Sequence, residues 1–222
     1  TFPQQWSESI ITPIHKKGSK TDPNNYRGIY LINSLSKIFV YILNQRLQKF
    51  CDEHMLIDEA QAGFRKGYST IDNIFTLSAL VQKYLSKSGG RFYCLYIDFA
   101  KAFDCIKHEK LLNILNDKNI KGNFLNIFKT MYKNLKACVK TSYGLTHFFN
   151  CTIGTRQGCI SSPLIFSLFI NELMIYLRNE IDNGIFVTQN MPDLLALFYA
   201  DDISDFADTV VKLQRQINVI DM

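Results

Sequence analysis

The stretch Leu197-Phe198-Tyr199-Ala200-Asp201-Asp202-Ile203-Ser204 decides how this 222-residue chain is read. Leu194 to Tyr199 is an apolar run short enough for a buried strand, and two adjacent carboxylates follow it. Adjacent Asp residues are ordinarily solvated turn residues. A second strand pattern, Phe92 to Ile97, stops on Asp98 in the same way. If the two strands are neighbours in one sheet, Asp98, Asp201 and Asp202 converge on one point. Three carboxylates there repel one another unless a cation is present. Such oxygen ligands suit Mg²⁺, which keeps several waters and completes its shell from phosphates. Two such ions about 4 Å apart activate an attacking hydroxyl and stabilise a leaving oxygen in phosphoryl transfer.

The bulk composition is compatible with that chemistry. A hydrophobic content of 47% over 222 residues supports a real core. No run of about 18 apolar residues occurs, so no membrane span is expected. The opening residues Thr1-Phe2-Pro3-Gln4-Gln5-Trp6 have neither an initiator Met nor a signal-peptide pattern. The chain is therefore expected to begin within a longer protein and to work inside the cell, in the nucleus or cytoplasm. Six cysteines are spread without a C-x-x-C pair, which argues against a zinc site and for small buried thiols in a reducing compartment. Residues 1–50 carry 7 Lys/Arg against 2 acids and residues 101–150 carry 9 against 3, whereas residues 151–222 carry 4 against 9. Two basic zones beside an acidic one fit a polyanion groove with a metal site, although basic helices are often only solvated faces.

The patterning predicts an α+β mixture without repeats or a clean linker. A loose strand over Ser9–Ile14 leads through a basic, turn-rich loop to a strand over Gly28–Ile32. A helix follows from Asn33 or Ser34 to Phe50, with Leu35, Ile38, Phe39, Ile42, Leu43 and Leu47 at helical spacing. Ser69 or Thr70 opens a helix to Ser86. Two helices are expected near Glu109–Asp117 and Asn123–Lys133, then a hairpin around Gly144. A very apolar helix over Ser162–Asn179 comes next, and a last helix ends the chain after a short Ile203–Ala207 segment.

Several stretches together resemble the reverse transcriptases of non-LTR (LINE-type) retrotransposons. Asp98-Phe99-Ala100-Lys101-Ala102-Phe103-Asp104, with His108 and Leu111-Leu112, looks like the first palm motif of that family. Gly154-Thr155-Arg156-Gln157-Gly158-Cys159 through Phe166 resembles the second, and Phe198 to Asp202 the third. Pro13 to Gly18, Asn25 to Ile29 and Gln61 to Thr70 are similar to its fingers motifs. All occur in order along nearly the whole chain. The resemblance implies a right-hand polymerase fold, with residues 1–90 mainly fingers and 91–222 mainly palm. An antiparallel palm sheet backed by helices is implied, with the thumb lying beyond the chain. It also implies an RNA-directed DNA polymerase that extends a DNA primer's 3′-hydroxyl on an RNA template from deoxynucleoside triphosphates. No membrane is involved.

The resemblance further assigns roles to matching positions. Asp98, Asp201 and Asp202, with the backbone carbonyl of Phe99, would hold two Mg²⁺ ions, Mn²⁺ being the alternative metal. Lys16, Lys17 and Arg27 would grip the triphosphate. The ring of Phe103 would sit beneath the sugar and reject a 2′-hydroxyl. Gln157 and Gly158 would lie against the nucleotide, and Arg65 would touch the template. Each has a plainer reading: a solvated basic loop, a core Phe, an exposed turn Arg. Gly28, Ile160-Ser161 and Ser204-Asp205 depart from the family pattern. Asp205 in a strand is therefore expected to be exposed, to join the metal side, or to mark a decayed element. Two rival functions share these residues. One is an RNA-directed RNA polymerase, which Phe103 and Ala200 oppose; the other is an inactive remnant that only binds nucleic acid.

Overall fold

The computed structural model describes residues 2–181, 184–189 and 191–221. The chain begins with helix α1 (Gln4–Ser7), strands β1 (Glu8–His15) and β2 (Tyr26–Ile32), and helices α2 (Ser34–Glu53) and α3 (Thr70–Leu85). Strand β3 (Tyr93–Ile97), helices α4 (His108–Asp117) and α5 (Gly122–Lys133), and strands β4 (Lys136–Thr141), β5 (Gly144–Leu145) and β6 (Phe149–Asn150) follow. Helix α6 (Ser162–Glu180), strands β7 (Ala196–Tyr199) and β8 (Asp202–Ala207), and helix α7 (Val210–Ile220) complete it.

Three of the helices, α2, α3 and α7, start at capping side chains. Asn33 Oδ1 accepts the N–H groups of Leu35 and Ser36 at the head of α2, and Ser69 with Asp72 forms a capping box on α3. Thr209 does the same for α7. The buried stripe of α2 differs from the expected one. Val40, Leu43, Leu47 and Cys51 are buried, while Leu35, Ile38 and Ile42 are exposed. This helix is apolar on two sides, so spacing alone could not say which side faces the core.

The chain divides into two compact units, each built from two segments. One joins Thr1–His54 to Lys101–Phe166, and the other joins Met55–Ala100 to Ser167–Met222. In the first unit the sheet order is β2-β1-β4-β5, with β6 also on β4. β1 pairs antiparallel with β2 and parallel with β4. Leu111, Leu115, Phe128, Ala137 and Cys138 are wholly buried there.

The second unit holds a three-stranded antiparallel sheet, β3-β8-β7. Leu80 of α3, Ile185, Leu197 and Phe206 form its buried cluster, with Leu77, Tyr84, Phe92, Cys94, Val187 and Leu194 around it. Each fully buried side chain of this size contributes roughly 2 kcal/mol. None of the described cysteines is in a disulfide; Cys51, Cys138 and Cys159 are buried and Cys105 is exposed. Among the described residues no helix is long and apolar enough to cross a membrane.

Asp205 is neither exposed nor on the metal side. It sits in the central strand opposite Leu95 and Ala196 and is fully buried. Lying three residues along β8 from Asp202, it is about 10 Å away and on the other face of the sheet. Its Oδ1 accepts the N–H of Phe206, and Oδ2 has no partner. Burial pushes its carboxyl up to about 7. An unfolded Asp titrates near pH ~4, so the folded chain keeps a proton that the unfolded chain has lost. The stability from that proton is complete below pH ~4 and disappears as pH rises through the folded value, a change of up to roughly 4 kcal/mol. Asp205→Asn should therefore melt above the wild type at pH 8 and lose most of that advantage at pH 5. Thermal unfolding at both pH values checks this, and an equal difference at the two would contradict it.

Candidate active site

Register brings the three acids to one end of the β3-β8-β7 sheet. Ile97 pairs with Ile203, so Asp98, the next residue, falls alongside Asp202. Tyr199 pairs with Asp202, which leaves Ala200 and Asp201 as the two turn residues. Asp98 and Asp202 are exposed, whereas Asp201 and Phe99 are half-buried. Among the described residues, no three or more His, Cys, Asp or Glu side chains are gathered closely enough to hold a metal. The acids thus share a sheet end without forming a closed cage. As a donor set they still fit a hard cation that keeps its waters, since every side-chain donor would be a carboxylate oxygen and two of the three residues are exposed.

The turn that carries them has an unusual backbone. Ala200 has φ 58, the sign expected of the first central residue in a type II′ hairpin turn, where Gly is usual. A left-handed Ala costs about 1–2 kcal/mol unless its surroundings fix it. They do so through Gln61, which is buried. Its Nε2 donates to Ala200 O (3.3 Å), and its Oε1 accepts from Ala200 N (3.1 Å) and Gly63 N (2.7 Å). Ala62 N donates to Phe198 O and Phe198 N to Ala60 O, so residues 60–62 pair in parallel with β7. The sequence places Gln61 at the start of a fingers-like motif but assigns it no role, and its local signal is an amide in the small-residue run Ala60-Gln61-Ala62-Gly63.

Arg65 is directed inward. Its Nη1 donates to Asp58 O and Gln61 O, its Nη2 pairs with Glu59, and its guanidinium lies 4.1 Å from the Tyr68 ring centre. Glu59 also accepts the Tyr68 hydroxyl. The guanidinium thus fastens the turn over residues 58–68.

The other expected site residues lie in the first unit. β1 and β2 form a hairpin that pairs Ile14 with Arg27, and Lys16 and Lys17 lie exposed in its loop. Lys101 Nζ donates to Asn24 in the same loop (2.9 Å). Phe103 is half-buried and stacks on Phe166, with ring centres 4.1 Å apart. Its carbonyl accepts from Thr155 N. Gln157 Nε2 donates to Asp104 Oδ1 (3.2 Å). Burial raises the Asp104 carboxyl, while the Gln157 hydrogen bond and the positive charges of Lys101 and Arg27 pull it back. His108 Nε2 donates to Gly154 O, and burial lowers its pKa, favouring the neutral ring.

Gly158 makes a close approach, although the nearest backbone is the protein's own. It has φ +116, and a Cβ there would meet Tyr30 O at 2.9 Å, beside the bond from Tyr30 N to Gln157 O.

One unit holds a sheet that ends on acids, and the other a basic hairpin that meets a Gln-Gly turn. Solved structures share the fold of the chain. Telomerase from Candida albicans, solved with a fragment of telomeric RNA, superposes with a TM-score of 0.72 at 13% identity, over 99% of this chain and 40% of that one. Apo telomerase from Candida tropicalis gives 0.69 at 14%, over 100% and 48%. The profile described as "Reverse transcriptase (RNA-dependent DNA polymerase)" matches residues 14–221, and the chain belongs to that family. The probable RNA-directed DNA polymerase from transposon BS of Drosophila melanogaster is 30% identical over 91% of this chain and 22% of its own length. The transposon TX1 149 kDa protein of Xenopus laevis is 28% identical over 96% and 16%. The chain thus spans about a fifth of the length of such relatives.

Gly158→Ala should destabilise the chain by about 2 kcal/mol, from the strained φ and the clash with Tyr30. Chemical denaturation checks this, and a change below about 0.5 kcal/mol would show that the loop gives way freely.

Proposed function

We propose that the chain is the fingers and palm portion of a non-LTR retrotransposon reverse transcriptase. It would copy an RNA template by adding deoxynucleotides to a primer 3′-hydroxyl. The observation that carries the reading is the register that sets Asp98 beside Asp202 and the Asp201 turn. Relatives named as RNA-directed DNA polymerases support it.

Asp98, Asp201, Asp202 and the Phe99 carbonyl are the groups that would hold Mg²⁺. Bound there, the metal would make the primer hydroxyl more acidic and offset charge on the triphosphate. The protein's own groups do the rest. Lys16, Lys17 and Arg27 bind phosphate oxygens, for which an ammonium and a forked guanidinium are suited. The Phe103 ring, fixed by Phe166 and by the Thr155 bond to its carbonyl, is a rigid wall against a 2′-hydroxyl. Gln157 and Gly158 form the turn against which a base pair would rest, with Asp104 holding the Gln157 amide. Arg65 serves the template by fastening its turn rather than by reaching outward.

Charge is segregated accordingly. Residues 1–54 and 101–166 carry 17 Lys/Arg against 7 acids, and the remainder carry 8 against 13. Template and primer would lie on the basic unit through phosphate contacts and duplex shape, so binding should weaken steeply with salt.

Primer extension on an RNA template with Mg²⁺ tests the reading, using the chain within a protein completed through the thumb. Incorporation should fall by about 100-fold or more in Asp201→Asn. Phe103→Val should raise ribonucleotide use relative to deoxynucleotide use. Equal extension by wild type and Asp201→Asn would rule out the enzymatic reading, and unchanged sugar discrimination would remove the role of Phe103.

A further inference from the structure

We propose that Gln61 is a positioning residue for the acidic turn: its amide holds Ala200 left-handed and so fixes where Asp201 and Asp202 point. The link to metal binding rests on the polymerase reading above; the link to the turn does not.

The geometry is specific to an amide. One side chain donates to the carbonyl of Ala200 and accepts from its N–H, so it binds both polar groups of the residue with the unfavourable φ. The same Oε1 accepts from Gly63 N. An apolar side chain of equal length would leave three buried polar groups without partners, which is costly. Gly63 adds a second constraint, because a Cβ there would come within 2.2 Å of Ala200 N. Nothing larger fits between the 61–63 segment and the turn.

The clamp is itself anchored. Arg178 of α6 grips both oxygens of Asp58, at 3.0 Å each, and Asn171 receives Asp58 N at 2.7 Å while donating to Leu56 O. Asp58 Oδ1 also accepts from Ala60 N, and Arg65 ties Asp58 O to Gln61 O. From α3, Asn73 Nδ2 donates to Phe198 O, one strand residue before Tyr199. Asp58 is thus fixed to α6, and the strand that leads into the turn is fixed to α3. The turn residue is Ala in place of the Gly that would adopt this conformation freely. A flexible residue at position 200 should therefore reduce the need for Gln61.

The experiment compares wild type, Gln61→Met, Ala200→Gly and the double variant in the full chain. Backbone amide exchange at Ala200 and Gly63 is followed by NMR, and Mn²⁺ affinity by electron paramagnetic resonance of the free ion. Gln61→Met should speed exchange at Ala200 by about tenfold or more, while amides of β3 and α7 keep their protection. Mn²⁺ should bind about tenfold more weakly, and adding Ala200→Gly should recover most of that affinity. If Gln61→Met does not fold, Gln61→Glu replaces it. Its carboxylate can accept both N–H groups but donates to Ala200 O only when protonated. Ala200 protection should then return as pH falls from 8 to 5. Exchange at Ala200 within about twofold of wild type in Gln61→Met, or no pH response in Gln61→Glu, would overturn the proposal. Mn²⁺ binding that Asp201→Asn leaves intact would instead refute the metal site, and Ala200 exchange would still decide the role of Gln61.

Discussion

The hairpin between β7 and β8 closes through two residues, and a hairpin that short allows few backbone shapes. With Tyr199 paired to Asp202, the turn must place Ala200 left-handed and Asp201 at the tip. Antiparallel pairing of β8 with β3 then puts Asp98 next to Asp202. The acids share the sheet end because side-chain position along a strand is quantised; a one-residue slip would send Asp202 to the opposite face. The buried cluster of Leu80, Ile185, Leu197 and Phe206 guards against that slip. Hydrophobic burial thus sets the position of charges that would otherwise separate.

Within the first unit the organising feature is contact between backbones. Tyr30 of β2 bonds to Gln157 O, Gly158 lies against Tyr30 O, and Gly154 accepts from His108. These contacts place the Gln157 amide on Asp104 and fix the Phe103 carbonyl on Thr155. Lys101, also left-handed, closes the loop of the basic hairpin through Asn24. Groups 46 to 127 residues apart in sequence are therefore held by a few hydrogen bonds, most of them to main-chain atoms, which tolerate changes of side chain better than packing does.

The hairpin, the capped helices and the acid-terminated strands were legible in the sequence because each has a local cause: apolar runs, Ser or Asn caps, turn residues. Other features lacked a local signal. The stripe of α2 that is buried depends on what packs there, so Leu35 and Ile38 looked like core and are exposed. Asp205 was open to three readings, exposed, beside the other acids or a mark of decay, and its burial follows from β8 being the central strand, which the local sequence does not show. Gln61 acts on a residue 139 positions away, and nothing near it in sequence points to Ala200. Arg65 read as a template contact, while the fold surrounds it with carbonyls and a carboxylate. The resemblance to reverse transcriptases identified the family; the physical roles of these residues came from long-range contacts.

The polymerase reading stands or falls on whether Asp98, Asp201 and Asp202, which share one sheet end, hold a divalent cation. Anomalous diffraction from crystals soaked in Mn²⁺ tests it most directly. The account predicts an anomalous peak bound by Asp98 and Asp201 oxygens at the β7–β8 turn, and its loss in Asp201→Asn. A peak bound elsewhere, or one that persists in Asp201→Asn, would contradict it.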